Sequence, residues 1–175
     1  MSNENVNLTP TSYVVLGFLR EAGPSTSYDL KKMHAGSVGH FWSAPHSQLY
    51  AEPKRLAAAG LVVEHREEAG RRRLVYEITD AGRRALEQWL TDPTASLPEL
   101  RDPALLQLFF GADPDLVAPP RAAAHRELLA LYEELRAAMG DEPTLRGPAL
   151  TLDLGIAVAR ESVRYWERLA GERDA

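Results

Sequence analysis

The sequence predicts a mostly α-helical protein with one small β-hairpin, divided into an N-terminal half at residues 1–92 and a helical C-terminal half at residues 93–175. Three observations predict this. Apolar residues recur every three or four positions over most of the chain, as they do in amphipathic helices. In the first half, two short runs rich in β-branched residues flank an arginine-rich turn. A segment containing several Pro and Asp residues, 93–103, separates the halves.

Three helices are expected before the hairpin, at residues 9–20, 28–34 and 45–59. Thr9 and Pro10 begin the first helix, because threonine caps helices well and proline suits the first helical position. Ser and Thr residues precede the second helix in the same capping role, and a glycine follows both the second and the third. The first half therefore begins with three short helices in succession.

The hairpin comes next. Its strands are expected at residues 61–66 and 74–78, and the segment between them contains one Gly and three Arg, which makes the tip basic. Thr79 and Asp80 then cap a fourth helix. Three helices, a basic hairpin and a returning helix follow the order of a winged helix-turn-helix. This order predicts that the first half binds double-stranded DNA.

The C-terminal half is predicted to contain one short helix at residues 104–110 and two long helices. The first long helix begins at residue 115 or 119 and ends at 139; the second covers 148–170. Apolar side chains recur on both with helical spacing. The stripe on the first consists of Leu128, Leu131, Tyr132 and Leu135, and the residues expected on one side of the second are Leu150, Leu154, Ala157, Val158, Val163 and Trp166.

The composition is that of a globular protein with a net charge of -5. The acidity lies in the second half, because 9 Arg face 14 acidic residues there, whereas 11 basic and 11 acidic residues balance in the first half. Local basic clusters therefore decide what the first half binds. Arg outnumbers Lys by 17 to 3, which is typical of a GC-rich bacterial genome.

Several classes of protein are excluded. There are no cysteines, so the chain has no disulfide, thiol chemistry or zinc-thiolate site. No apolar run approaches the roughly 20 residues that cross a bilayer, and the N-terminus lacks the pattern of a secretory signal. We therefore expect a cytoplasmic protein that does not enter a membrane.

The first half also contains an ordered set of short motifs. They are VLGFL at 15–19, PSTSYDLKK at 24–32, FW at 41–42, SQLY at 47–50, RL at 55–56, GLV at 60–62, GR at 70–71, VY at 75–76, Thr79, Gly82 and WL at 89–90. As a set, which covers about half the chain, they resemble the PadR-type transcriptional regulators. The resemblance implies a winged helix-turn-helix followed by a helical domain that dimerises, often through its last long helix. It also implies repression of transcription until an effector binds.

One departure from this family lies in the third helix. The family commonly has Pro directly after the Tyr of the SQLY motif, whereas here Ala51 follows Tyr50 and the proline is Pro53. Because proline lacks a backbone donor, it should kink the helix at a shifted position. The shift leaves open which side chains of this helix face the bases.

Candidate DNA contacts follow from the fold. The major groove of B-DNA admits one helix, and the side chains of its first turns reach the base edges. Wing arginines and the start of the second helix would contact phosphates or the minor groove. The candidates are Tyr28, Lys31, Lys32, Ser43, His46, Ser47, Gln48, Tyr50, Lys54, Arg55, Arg71, Arg72 and Arg73. The alternatives are that Ser43 only caps a helix, that Tyr50 packs in the core, and that the arginines pair with Glu67 and Glu68.

Aromatic residues are candidates for an effector pocket between the halves, because flat rings stack on planar ligands. They are Trp42, Trp89, Phe109, Phe110 and Trp166, and the alternative for each is a place in the core. No metal site is expected, since His34, His40 and His46 are spaced by six and share no helix face. No cofactor is expected either.

The sequence shows no nucleophile elbow, no phosphate-binding glycine loop and no plausible acid pair, so an enzyme is not expected. We predict a ligand-responsive homodimeric repressor that reads a pseudo-palindromic operator and responds to a small aromatic or amphipathic effector. The alternative is a winged-helix interaction module that has lost DNA binding. Replacing the three wing arginines with alanine would distinguish the two.

Overall fold

The structure is a computed structural model that describes residues 7–66, 73–140 and 142–171. It confirms the predicted mostly helical fold with one two-stranded hairpin. The elements are α1 (Pro10–Ala22), α2 (Ser27–Ala35), α3 (His46–Ala58), β1 (Val62–Arg66), β2 (Leu74–Ile78), α4 (Asp80–Thr91), α5 (Pro103–Phe109), α6 (Pro114–Met139) and α7 (Arg146–Gly171). The chain divides into two compact units between residues 96 and 97, called the N-terminal unit and the C-terminal unit below.

Side-chain caps fix where the first helices begin. In α1 the Thr9 side chain accepts from the Ser12 amide, and the Ser12 side chain accepts from the Thr9 amide at 2.8 Å. Thr26 and Asp29 form the same reciprocal pair at the start of α2. The hydrogen bonds from Thr26 hold the pKa of Asp29 below its usual value. Thr79 caps α4, so the capping roles predicted for Thr9 and Thr79 are confirmed.

The core of the N-terminal unit joins all of its elements. α1 contributes Val15, Leu16 and Leu19. The side chains that the other elements contribute are Leu30, Leu56, Val62, Tyr76, Ile78 and Leu86. β1 and β2 pair antiparallel, with Val62 opposite Ile78 and Arg66 opposite Leu74. Burying these apolar side chains stabilises the unit by roughly 1.5–3 kcal/mol for each large one. The hairpin is thereby packed on the three-helix layer.

Two close contacts fix the hairpin to the helices. The amide of Ser25 donates to the Tyr76 carbonyl at 3.0 Å, and the Tyr76 amide donates back at 2.9 Å, so the loop before α2 pairs with β2. At the other end, α4 approaches the loop before β1. A Cβ atom built on Gly82 would lie 2.1 Å from the carbonyl oxygen of Leu61. Only glycine fits at this position.

The C-terminal unit is built on an antiparallel pair of long helices, α6 and α7. Ion pairs between them join Arg126 to Glu167, Glu133 to Arg160 and Arg136 to Asp153. Later residues of α6 pair with earlier residues of α7, as expected for antiparallel helices. Ala104, Ala118, Ala122 and Trp166 form its main buried cluster. Gly155 lets the ring of Tyr132 approach α7 closely.

The prediction that α7 has a single apolar side is wrong. Trp166 is buried on α7, but its buried companions are Ile156 and Ala159, while Leu150, Leu154, Ala157 and Val158 are exposed. α7 therefore carries two apolar faces, one packed on α6 and one uncovered in the isolated chain. In the part of the chain that the structure describes, no helix is both long and apolar enough to cross a bilayer.

Candidate DNA-binding surface

The N-terminal turns of α3 present a row of exposed polar side chains, while the other face of the helix is buried in the core. Leu49 and Leu56 are fully buried, and Pro53 is buried beside them without ending the helix. The opposite face is exposed. It carries the predicted side chains His46, Ser47, Gln48, Tyr50 and Lys54.

Two of the alternatives at the start of α3 are wrong. The cap position is Pro45, which provides no side-chain hydrogen bond, and Ser43 is exposed two residues earlier, so Ser43 does not cap this helix. Tyr50 is 43% exposed and does not pack in the core. Both side chains are accessible to a partner.

The side chain of Gln48 is oriented by its neighbour on α1. The Thr11 hydroxyl donates to Oε1 of Gln48 at 3.4 Å, a long hydrogen bond. This contact turns the amide nitrogen of Gln48 away from α1. The amide can then donate to an acceptor on a base edge, such as N7 of a purine or O4 of thymine.

Arg55 has several partners within the chain, and its contact with a phosphate stays a prediction. Its guanidinium donates to both carboxylate oxygens of Glu52 (2.6 and 3.0 Å), to the Ser12 hydroxyl (2.8 Å) and to the Asn7 carbonyl (3.1 Å). Burial opposes the ionisation of Glu52, but hydrogen bonds from Arg55 and Ser12 outweigh it and keep the pKa of Glu52 below its usual value. Two of the hydrogen bonds that Arg55 donates stay within α3, and the other two join it to Ser12 of α1 and to Asn7 just before that helix.

The basic candidates lie on α2 and on the hairpin. Tyr28 is 64% exposed, Lys32 is exposed and Lys31 is half-buried. Arg73 is exposed immediately before β2. The other two wing arginines, Arg71 and Arg72, and the acidic residues Glu67 and Glu68 lie outside the described residues.

A buried histidine holds the turn that leads into α3. His34, at the end of α2, is 7% exposed, and its Nε2 donates to the carbonyl oxygen of Trp42 at 2.9 Å. Gly39 packs so closely on it that an added Cβ atom would lie 2.7 Å from the His34 carbonyl oxygen. From the sequence, His34 was weighed only as a metal ligand, and this role was missed. The contact spans eight residues and has no local signature.

Replacing His34 with leucine is expected to weaken DNA binding about three- to tenfold and to lower the free energy of unfolding by about 1 kcal/mol. The carbonyl of Trp42 loses its donor, and the turn before α3 loses its restraint. His34→Gln, which can still donate, should recover most of the binding. Affinity for a fixed duplex and thermal unfolding check this together. Unchanged affinity in the leucine variant would contradict the role.

The aromatic candidates are distributed over both units. In the N-terminal unit, Trp89 stacks on Tyr13 (ring centroids 4.5 Å apart, planes 7° apart) and Trp42 is 43% exposed. In the C-terminal unit, Phe109 and Phe110 meet edge to face and are exposed, whereas Trp166 is buried and lines a cavity within the unit. The shared pocket between the halves stays a prediction.

Among the described residues, no group of three or more His, Asp or Glu side chains is placed to hold a metal ion. The three histidines spaced by six lie in different environments. His34 is buried in the turn described above, and His40 and His46 are exposed.

Comparison with known proteins gives a consistent result for the N-terminal unit. Residues 15–88 match the Transcriptional regulator PadR-like family. The negative transcriptional regulator PadR of Bacillus subtilis is 32% identical over 100 residues, which cover 56% of this chain and 54% of that protein. A probable transcriptional regulator of Mycobacterium tuberculosis is 30% identical over 119 residues, 65% of this chain and 59% of that protein. The matched part spans little more than half the length of these relatives.

Solved structures resemble the whole chain in fold. Bacillus subtilis PadR in complex with operator DNA superposes with a TM-score of 0.81 at 22% identity, covering 92% of this chain and 96% of that chain. The same protein in complex with p-coumaric acid gives 0.79 at 22% identity, with 94% and 98% covered. At this identity the likeness shows the fold, including the winged helix of the first half.

Proposed function

Since the chain belongs to the PadR-like transcriptional regulator family, we propose that it is a homodimeric repressor that binds a pseudo-palindromic operator in double-stranded DNA. The family consists of DNA-binding regulators, not enzymes. The observation that carries the proposal is the exposed row of His46, Ser47 and Gln48 on a helix anchored from behind. A relative, Bacillus subtilis PadR, has been solved in complex with operator DNA.

Recognition divides between bases and backbone. α3 enters the major groove, and the amide of Gln48 donates to a base edge while Ser47 and Tyr50 contact bases or phosphates. Lys32 on α2 and Arg73 at the root of the wing contact phosphates, together with the wing arginines beyond the described residues. The first half has no net charge, but its basic residues are clustered. This local positive charge is sufficient for binding phosphates.

The uncovered face of α7 supports the dimer. Leu150, Leu154 and Val158 are 60%, 67% and 58% exposed and follow one another every four residues, and Tyr165 continues the stripe. Such a stripe on a long helix is self-complementary under a two-fold axis, so a second copy can cover it. A two-fold dimer would then present two α3 helices to half-sites about 34 Å apart or a multiple of this.

An effector completes the proposed cycle. A small aromatic or amphipathic molecule would release the operator by binding the DNA-free arrangement of the dimer more tightly than the DNA-bound one. Bacillus subtilis PadR has been solved with p-coumaric acid, which supports regulation by a small molecule. As a regulator of this kind, the protein would act in the cytoplasm.

The test is a titration of the purified protein against its own promoter region and against a random duplex, each at two salt concentrations. We expect tighter binding to the promoter region at both, by at least about a thousandfold at physiological salt. Equal binding to the two duplexes would overturn the operator proposal. It would favour the interaction module instead.

Alanine at Lys32 or at Arg73 is expected to weaken binding to the operator and to the random duplex by the same factor. Each lost phosphate contact should reduce the slope of log K against log [salt] by about 1. Arg101→Ala, which removes an 81% exposed arginine from the C-terminal unit, is the matched control. A salt slope that stays at the wild-type value in both variants would argue against backbone contacts at these positions.

Replacing Leu154 with glutamate is expected to dissociate the dimer into 19.4 kDa chains. A carboxylate cannot be buried in an apolar interface without a partner, so association should weaken by at least about a hundredfold. Sedimentation velocity measures the mass, and Gln88→Glu, at an exposed position of α4 in the N-terminal unit, controls for the added charge. If Leu154→Glu sediments as a dimer, the dimer interface does not lie on this face of α7.

A further inference from the structure

A cavity of about 590 Å³ lies within the C-terminal unit, between the segment around α5 and the two long helices. Its volume is in the range of small-molecule sites, which are mostly apolar with a few polar groups. Leu105 contributes apolar wall, and Trp166 and Tyr165 contribute ring surface. The two rings meet edge to face with centroids 5.1 Å apart. The cavity therefore offers aromatic walls to a flat molecule.

The charged side chains that line the cavity are both acidic. They are Asp102 and Glu161, and no Lys or Arg among the described residues lines it. Asp102 pairs with Arg121, whose guanidinium lies over the ring of Trp166 at 5.5 Å from its centroid. Glu161 pairs with Arg164 at 2.5 Å, but both side chains are about two-thirds exposed. An ion pair of this kind contributes little, so Glu161 can turn to a ligand at small cost.

His125 lines the same cavity, and its ring carries a buried polar atom without a partner among the described residues. Its Nδ1 is buried and has no hydrogen-bond partner within the described part of the chain, which is rare for a buried polar atom. Burial and the positive charge of Arg121 lower the pKa of His125, against an opposing effect of Asp102. The neutral ring can accept a hydrogen bond through a nitrogen that carries no proton.

We propose that this cavity is the effector site and that it binds a flat organic cation, with the N–H groups of the cation directed to the carboxylates of Asp102 and Glu161. The apolar body of the ligand lies against Leu105, Tyr165 and Trp166, because aromatic ring faces attract cations and pack well on flat molecules. Two carboxylates disfavour an anion of the same shape. The inference rests on the proposed function, whose effector it identifies by chemical class.

The position of the cavity suggests how a ligand would act. Val158 and Tyr165 line the cavity and also belong to the exposed stripe of α7 that the proposed dimer covers. A ligand between these side chains would change the surface on which the second copy packs. Binding of the ligand and packing of the second copy would therefore affect each other through α7.

Three compounds of one shape test the proposal on the full chain by calorimetry: 2-naphthamidinium, 2-naphthamide and 2-naphthoate. We expect the cation to bind at least about tenfold more tightly than the anion, with the neutral amide between them. Glu161→Gln should weaken the cation about three- to fivefold and leave the amide unchanged. Glu167→Gln, which removes an exposed carboxylate of α7 that does not line the cavity, should change neither.

Three results would overturn the proposal: no saturable binding of the cation, tighter binding of the anion, or an unchanged cation affinity in Glu161→Gln. Binding of the cation by a Leu154→Glu monomer but not by the dimer would also overturn it, because the partner chain would then fill the cavity. Promoter titration without a ligand separates this from the proposed function. Promoter binding without cation binding defeats only the effector site, and cation binding without promoter preference defeats only the repressor.

Discussion

Replacing Gly82 with alanine is expected to lower the free energy of unfolding by about 3 kcal/mol or more. The new Cβ atom would lie 2.1 Å from the Leu61 carbonyl oxygen and 2.9 Å from a side-chain carbon of Ile78. The carbonyl cannot retreat freely, since it accepts the Thr79 amide at 3.1 Å. Forcing α4 away from the hairpin therefore breaks a hydrogen bond and opens the core. Thermal unfolding should show a midpoint lower by roughly 6–12 °C.

Gly17→Ala is the matched control. Gly17 lies inside α1, and a Cβ atom there would meet nothing within 4 Å. Because alanine is a better helix former than glycine by up to about 1 kcal/mol, this variant should be as stable as the wild type or more so. Equal midpoints for the two variants would mean that α4 does not pack against the loop before β1 as closely as described.

Replacing Gln48 with alanine is expected to reduce operator affinity by about 1–3 kcal/mol for each half-site, or roughly 5- to 150-fold. The amide nitrogen loses its base acceptor, while the phosphate contacts of the other elements remain. Binding to a random duplex should hardly change. A mobility-shift titration of both duplexes at one salt concentration measures the difference.

Two further variants support the assignment of Gln48. Lys54→Ala, on the same exposed face but further along α3, should weaken both duplexes equally if it contacts only phosphate. Thr11→Val removes the hydroxyl that orients Gln48 and should lower operator affinity by a smaller factor than Gln48→Ala. A loss in Gln48→Ala that is the same for both duplexes would show that this side chain does not read bases.

Local rules predicted much of the N-terminal unit. Thr9 and Thr79 cap their helices because threonine oxygen accepts an amide two or three residues later, a relation that is visible in the sequence. The hairpin was predicted from its β-branched runs and turn residues. α3 continues through Pro53, from His46 to Ala58, and the kink expected at this proline stays a prediction.

Long-range partners explain what could not be predicted. The phosphate contact of Arg55 stays a prediction, but its hydrogen bond to Ser12, 43 residues earlier, left no signal in the local sequence. The face of α7 was misjudged for a related reason. Periodicity shows that Leu154 and Trp166 have helical neighbours, but it does not show which of two apolar faces meets α6.

The paired hydrogen bonds between Ser25 and Tyr76 have a consequence for how a signal reaches the operator. They join the loop before α2 to β2, so the start of α2 and this strand are held together as one body. The amides at this junction should exchange with solvent only when the whole unit unfolds. In the proposed repressor, an effector would then not act by moving β2 against α2. It would act on the distance between the two N-terminal units of the dimer, and so on the spacing of the half-sites that they can bind.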